Sequence, residues 1–223
     1  MRVLVVGAGI IGSIYGWALA ESGHHIVHLV RSGKASVLRD GLTLDMLDRR
    51  KGHKRNSRGL YRLNVVETLS PTDTFELVIV PVKHYALVET LKEIVPRAGS
   101  AEFLLLTQNW CGTNAIDPIL PRTRYIYADA KAGGIFSGGT LVAALKAIDV
   151  GSAEGEPSAL AKKTADLFVS AGIQARLHSD MLHYLWVQYA ITGGLWAALI
   201  QAEQSAVAGT TIRMGMPPPT VER

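Results

Sequence analysis

Six residues near the N-terminus, Gly7-Ala8-Gly9-Ile10-Ile11-Gly12, carry the clearest chemistry in this chain. The G-x-G-x-x-G spacing suits a backbone that wraps a pyrophosphate. Gly7 permits a tight turn, Gly9 lets the main chain approach the phosphates without a Cβ, and Gly12 lets a helix pack close to a strand. A helix opening there presents free N–H groups and the positive end of its dipole to the anion. An apolar run, Arg2 to Val6, precedes the turn and a helical pattern follows it, the context that separates a dinucleotide loop from a bare glycine turn. Gly16, one turn on, reads as a helix–sheet packing position.

The end of the next strand selects among dinucleotides. An NAD site needs an Asp or Glu there to accept from the ribose 2′-OH. The chain reads Leu29-Val30-Arg31-Ser32-Gly33-Lys34, without a carboxylate. Arg31, Ser32 and Lys34 instead offer charge and hydrogen bonds suited to a 2′-phosphate. The expected cofactor is therefore NADP(H).

Strands and helices alternate around these residues. Further strands are expected at His25–Val30, Glu76–Val82, Phe103–Thr107, Tyr125–Ala128, Ala143–Val150 and Gln174–Leu177. Helices are expected through the glycine turn to Gly23, over Tyr85–Val95, around Asn114–Leu120, and from Pro157 to Ser170. This alternation implies an α/β fold with a Rossmann-type, doubly wound parallel sheet. After His178 the pattern becomes helix alone, so the expected division is 1–178 for the nucleotide domain and 179–223 for the start of an all-helical second domain. The tail MGMPPPTVER reads as frayed.

Composition sets the limits. Hydrophobic residues make up 48% of 223 and charged residues 19%, enough to bury a core and too few charges for intrinsic disorder. One cysteine, Cys111, excludes an internal disulfide framework and a cysteine-cluster metal site, and fits a reducing cytoplasm. The first strand starts at Arg2, so no signal peptide is expected. Between Asp180 and Glu203 no charged residue occurs, yet His183, Tyr184, Gln188 and Gly193–Gly194 interrupt the stretch, which reads as a helix buried between protein layers rather than a membrane span. Lys or Arg at 49, 50, 51, 54, 55 and 58 offers an anion or RNA patch, or a solvated loop between two strands. The loop is favoured, because no aromatic residues interleave to stack bases; neither a nucleic acid nor a membrane is the expected partner.

The motifs together resemble the ketopantoate reductase (2-dehydropantoate 2-reductase) family. The resemblance rests on GAGIIGSIYGWALAESGH at 7–24, Arg31, VKHYAL at 82–87, Gln108–Asn109 after FLLLT, the glycine-rich stretch from Lys131, and Asp180 followed by Leu185–Trp186. It implies a Rossmann domain and a helical second domain, with NADPH-dependent reduction of a 2-keto acid in the cleft between them. By position, Lys83 would lie on the nicotinamide side and Asn109 would border the ribose and substrate. As residues alone, Lys83 also reads as a solvated residue after a strand, and Asn109 as an Asx turn or helix cap.

Three departures from the family pattern matter. Gln188 stands where the family lysine polarises the keto oxygen and donates a proton; Thr192 and Trp196 replace two asparagines; Trp110 replaces a glycine. The chain also ends where the family continues through a larger helical domain. A glutamine donates a hydrogen bond but delivers no proton at neutral pH, and losing a general acid typically costs roughly 10²–10⁴-fold in rate. Candidate replacements are His183, Tyr184, Tyr189 and Lys131, with Tyr184 favoured because it lies four residues before Gln188 on one helical face. Lys131 is expected on a loop before a Gly-Gly turn. Cys111 has no evident His partner and reads as inert packing. The resulting expectation is a cytoplasmic reductase of a small carbonyl substrate, homodimeric through the apolar helix after Asp180, with Gln188, Lys83 and Asn109 at the reacting end. A catalytically silent NADP(H)-binding module is the alternative.

Overall fold

Short β-branched runs with glycine turns at their ends build the sheet, and the intervening apolar stripes build its helices. The protein is described by a computed structural model covering residues 1–53, 55–70 and 72–213. The tail expected to fray lies outside the described residues, as does the side chain of Trp196. The strands are β1 (Arg2–Val6), β2 (His25–Leu29), β3 (Leu42–Asp48), β4 (Asn56–Tyr61), β5 (Asn64–Val66), β6 (Leu77–Val80), β7 (Glu102–Leu105), β8 (Tyr125–Ser137), β9 (Thr140–Gly151) and β10 (Gln174–His178). The helices are α1 (Ile10–Glu21), α2 (Ala35–Leu38), α3 (His84–Ile94), α4 (Ala159–Ser170) and α5 (Met181–Arg213).

All ten strands join one sheet in the order β4-β3-β9-β8-β7-β6-β1-β2-β5, with β10 also paired to β9. From β5 through β2, β1, β6 and β7 to β8 every pairing is parallel. The order of connection reverses between β1 and β6, creating the crevice at the carboxyl ends of the strands where α/β sheets bind ligands. Helices α1 and α4 cover one face, with Tyr15 and Phe168 meeting edge to face at 5.6 Å between ring centroids. On the other face α3 and the first turn of α5 pack through Leu87, Leu91, Met181, Leu182 and Leu185 against Phe103 and Tyr127.

The α/β, Rossmann-type reading holds, with local corrections. The sheet is mixed rather than wholly parallel, because β8 and β9 form a long antiparallel hairpin and β3 pairs antiparallel with β4. Lys131 lies within β8, not on a loop, and the hairpin turns at Gly138–Gly139, both at positive φ. Gly134 belongs in the strand because a Cβ there would collide with Val142 and Ala143 of β9. The segment around Asn114–Leu120 forms successive turns instead of a helix. Two compact units divide the chain at Met1–Leu185 and Trp186–Arg223, so the first turn of α5 belongs with the sheet. In the second unit Trp186, Ile191, Leu195 and Ile200 are exposed, so this part of the helix is not buried between layers as its composition suggests. Among the described residues, no helix is long and apolar enough to cross a membrane.

Candidate functional site

Gly7 ends β1 with φ +93°, a conformation that other residues adopt only under strain. Its N–H donates to Leu29 O, and its carbonyl is held by the buried His28 ring at 2.9 Å. A carbonyl only accepts, so His28 Nδ1 carries the proton and Nε2 accepts from the Tyr61 hydroxyl at 3.0 Å. Burial holds the His28 pKa below its ordinary value, keeping the ring neutral. Gly16 makes room for that ring, since a Cβ on it would come within 2.7 Å of Nε2. Gly12 lies so close to Val5 and Pro81 that a Cβ would press on both, which draws α1 onto the sheet.

Gly9 behaves differently. It is the N-cap of α1 with φ −75°, and nothing lies within 4 Å of where its Cβ would sit. The protein leaves that space open in front of the helix N-terminus, where unpaired amides await an acceptor. These features fit a pyrophosphate. Beyond β2, Arg31 is exposed, and its carbonyl closes a turn with the Lys34 amide at 3.1 Å, with Gly33 at positive φ. Glu67, just after β5, accepts from the Ala35 amide at 2.9 Å. Backbone donation from Ala35 and Gly33 holds its pKa below the usual carboxylate value. Residues 29–34 therefore have a carboxylate near them after all, supplied by the neighbouring strand and engaged by main-chain amides.

Lys83 is exposed as the N-cap of α3, three residues beyond β6. The next residue, His84, stacks on Trp110 with ring centroids 4.9 Å apart. Trp110 is half-exposed and Cys111 is exposed, so neither is core packing. Asn109 is buried and committed to its own loop. Its Nδ2 donates to Gly112 O at 2.7 Å and to Tyr127 Oη at 2.8 Å, and its Oδ1 accepts from the Cys111 amide at 2.9 Å. That Asx turn fixes the direction in which Trp110 leaves β7. Three buried side-chain polar atoms lack a partner among the described residues: Ser13 Oγ, His84 Nδ1 and Thr107 Oγ1. They sit on α1, α3 and the segment after β7, all following the carboxyl ends of parallel strands.

One pleat beyond Tyr127, on the same face, lies a cluster of charged and polar groups. Asp129 and Asp149 oppose each other across β8 and β9. Lys131 Nζ lies 2.5 Å from Asp129 Oδ2 and 3.3 Å from Asp149 Oδ2. Tyr184, on the first turn of α5, donates to Asp149 Oδ2 at 2.7 Å, and His178 Nε2 donates to Asp149 Oδ1 at 3.1 Å. The His178 and Tyr184 rings stack at 4.1 Å between centroids. Burial opposes charge on Lys131, but hydrogen bonds to Asp129 and Tyr184 keep its pKa above the ordinary lysine value. Burial likewise opposes charge on Asp149, and its bonds from Tyr184 and His178 hold its pKa below the ordinary value. Lys131 and Tyr184 were legible singly. Asp129, Asp149 and His178 were missed; the Asp129–Lys131 spacing on one strand face was the available signal.

Other sequence candidates are spread more widely. His183 points outward and is exposed, while Gln188 is partly buried in the second unit. Arg50, from the basic segment, is not solvated: it is buried against Asp48 and Glu21, at 2.9 and 2.6 Å, and lies over the Trp17 ring. Of the other described residues in that segment, 51–53 lie in the turn after β3, and Asn56 to Arg58 begin β4, the outer strand of the hairpin.

Comparison with known proteins places these features in context. Residues 3–147 match the family described as ketopantoate reductase PanE/ApbA. A 2-dehydropantoate 2-reductase of Pyrococcus abyssi is 24% identical over 206 residues, covering 87% of this chain and 62% of that protein. The structure of D-mandelate dehydrogenase with NADH and anilino(oxo)acetate is 20% identical with a TM-score of 0.68, over 86% of this chain and 62% of that one. A 2-dehydropantoate 2-reductase from Porphyromonas gingivalis W83 has a TM-score of 0.67 at 19% identity, over 97% of this chain and 73% of that one. The chain spans about three fifths of the length of the curated relatives it matches.

Proposed function

The chain belongs to the ketopantoate reductase family, and on that premise we propose that it binds NADP(H) and reduces a small 2-keto acid or related carbonyl, 2-dehydropantoate among them. One observation carries this reading: Gly9 caps α1 directly after β1 and leaves the space in front of the helix N-terminus open.

Gly7 to Gly12, with Ala8, Ile10 and Ile11 between, hold the pyrophosphate through main-chain amides, and Arg31 grips the 2′-phosphate. Reduced nicotinamide, when bound, supplies the hydride for the carbonyl carbon. Lys83 offers its ammonium to the substrate carboxylate. Asn109, both of whose N–H groups are taken within the protein, acts by holding its loop and Trp110 against the reacting end. Gln188 stands at the position the family gives to its carbonyl-polarising residue, where a glutamine could offer an N–H but no proton.

The same reading assigns residues 1–178 to nucleotide binding and 179–223 to a truncated helical substrate or dimerisation region. It makes the protein a cytoplasmic homodimer through the exposed apolar face of α5, in a step of pantothenate biosynthesis or one like it. Following NADPH oxidation across a panel of 2-keto acids that includes 2-dehydropantoate tests the activity. Turnover with at least one acid is expected; tight NADPH binding with no turnover on any would leave a silent nucleotide-binding module. Sedimentation at micromolar concentration is expected to give a dimer.

A further inference from the structure

We propose that Tyr184 is the proton donor to the substrate's keto oxygen, aimed by Lys131 and Asp149. The inference rests on the reductase reading above and fills the role that Gln188 cannot perform.

The position is set by the sheet. In a doubly wound dinucleotide site the adenosine end lies over β2 and the reacting end lies across the switch point, toward β6 and the strands beyond it. Asn109, at the carboxyl end of β7, bonds Tyr127, and the residues two and four beyond Tyr127 on the same strand face are Asp129 and Lys131. The cluster is thus at the reacting end, on the face that α3 and the first turn of α5 cover.

The chemistry is set by the partners. Three groups face the phenol of Tyr184, and a fourth, Asp129, holds one of them. Asp149 accepts its proton at 2.7 Å, Lys131 hydrogen-bonds it and stands 5.3 Å from the ring centroid, His178 stacks on it, and Asp129 anchors the lysine from the far side. Burial and the bond to Asp149 raise the phenol's pKa, so it is protonated at neutral pH. Tyr184 is only partly buried, and in this proposal its hydroxyl hydrogen turns from Asp149 to the substrate oxygen.

During reduction the keto carbon gains a hydrogen and its bonding pair from the reduced nicotinamide. The displaced C=O π pair passes to the oxygen, which takes the proton from Tyr184 Oη as the phenolic O–H bond breaks. The Lys131 ammonium stabilises the phenolate, and water restores the proton. Lys131 and Asp149 act through Tyr184 and are positioning residues.

Kinetics and binding on Tyr184→Phe, Lys131→Met and Gln188→Leu test this. Tyr184→Phe is expected to lower kcat roughly 100-fold or more, the lower end for a general acid, with NADPH affinity within twofold of wild type. Gln188→Leu is expected to cost about tenfold or less, one lost hydrogen bond. Calorimetric affinity for oxamate, an unreactive 2-keto acid isostere, is expected to fall about tenfold in Tyr184→Phe, a readout independent of turnover. Lys131→Met removes the cation that favours phenolate, so the alkaline limb of its kcat–pH profile is expected at higher pH than in wild type. A merely structural lysine would leave the limb in place. If Tyr184→Phe does not fold, the Lys131→Met limb decides. Retention of kcat within threefold in Tyr184→Phe, or an unmoved limb in Lys131→Met, overturns the inference while leaving the reductase reading intact. Wild-type protein that binds NADPH but reduces no 2-keto acid overturns the reductase reading, and this inference with it.

Discussion

The glycine turn and the Asp129–Lys131–Asp149–His178–Tyr184 cluster lie along the same edge of one sheet but are built in opposite ways. The turn is local: six consecutive residues, their backbone angles and one open space make it complete. The cluster brings together residues from β8, β9, β10 and α5, and it exists only once β8 pairs with β9 in register. A local device can lose its ligand without losing the fold. A device assembled across four elements cannot lose its central carboxylate without loosening the elements themselves.

The largest expected effect separates the two regions. In Gly9→Asp the new Cβ enters open space and φ −75° suits any residue, and aspartate is a favoured N-cap. The melting temperature is expected to hold or rise, while a carboxylate facing phosphates costs several kcal/mol, weakening NADPH binding roughly 100-fold or more. A stable variant with undiminished NADPH affinity would break the comparison on the nucleotide side.

The opposite pattern is expected at the cluster. Asp149→Ala removes the acceptor that His178 and Tyr184 share and leaves Lys131 to Asp129 alone, at a nearly buried site. Urea unfolding is expected to show a loss of about 2–3 kcal/mol, the range for bonds to a charged group. NADPH affinity is expected to change little. An equal loss of nucleotide binding would mean that the two regions are not separable.

Selectivity gives a smaller effect. Arg31 is exposed, so Arg31→Ala should leave stability unchanged and weaken NADPH about tenfold, or about 1.4 kcal/mol, with NADH affinity preserved. A matching drop for NADH would remove Arg31 from the selection of the 2′-phosphate.

The smallest effect is in pH. The folded pKa of His28 lies below its ordinary value of 6.5 because the ring is buried. The unfolded chain therefore takes up a proton first as pH falls. The stability contributed by neutral His28 is complete above its unfolded pKa and declines below it, toward the folded pKa. Urea midpoints should fall from about pH 7.5 to about pH 5.5, and less steeply in His28→Phe.

How much of this could be read beforehand follows the same division. Gly7, Gly9 and Gly12 identified themselves because their spacing forms a contiguous motif, although only Gly7 is required by its own backbone angle. The parallel strands were legible as apolar runs, β6 and β7 above all. The β8–β9 hairpin was not, because Gly133-Gly134 reads as a turn unless the close approach of β9 is known. Glu67 and Asp149 reach their sites through strand pairings, which single-strand patterns do not encode. Arg50 looked solvated within a run of basic residues; its burial depends on Asp48, Glu21 and Trp17 converging from two elements. After β7, the Asx turn that was the alternative reading for Asn109 is the geometry its hydrogen bonds show.

Calorimetric titration of the intact, folded chain with NADPH and with NADH probes the nucleotide-binding claim at its root. Saturable one-site heat with NADPH, and affinity for NADH about tenfold weaker, is the predicted result. No heat with either nucleotide would contradict the account and reduce the glycine turn to a packing device.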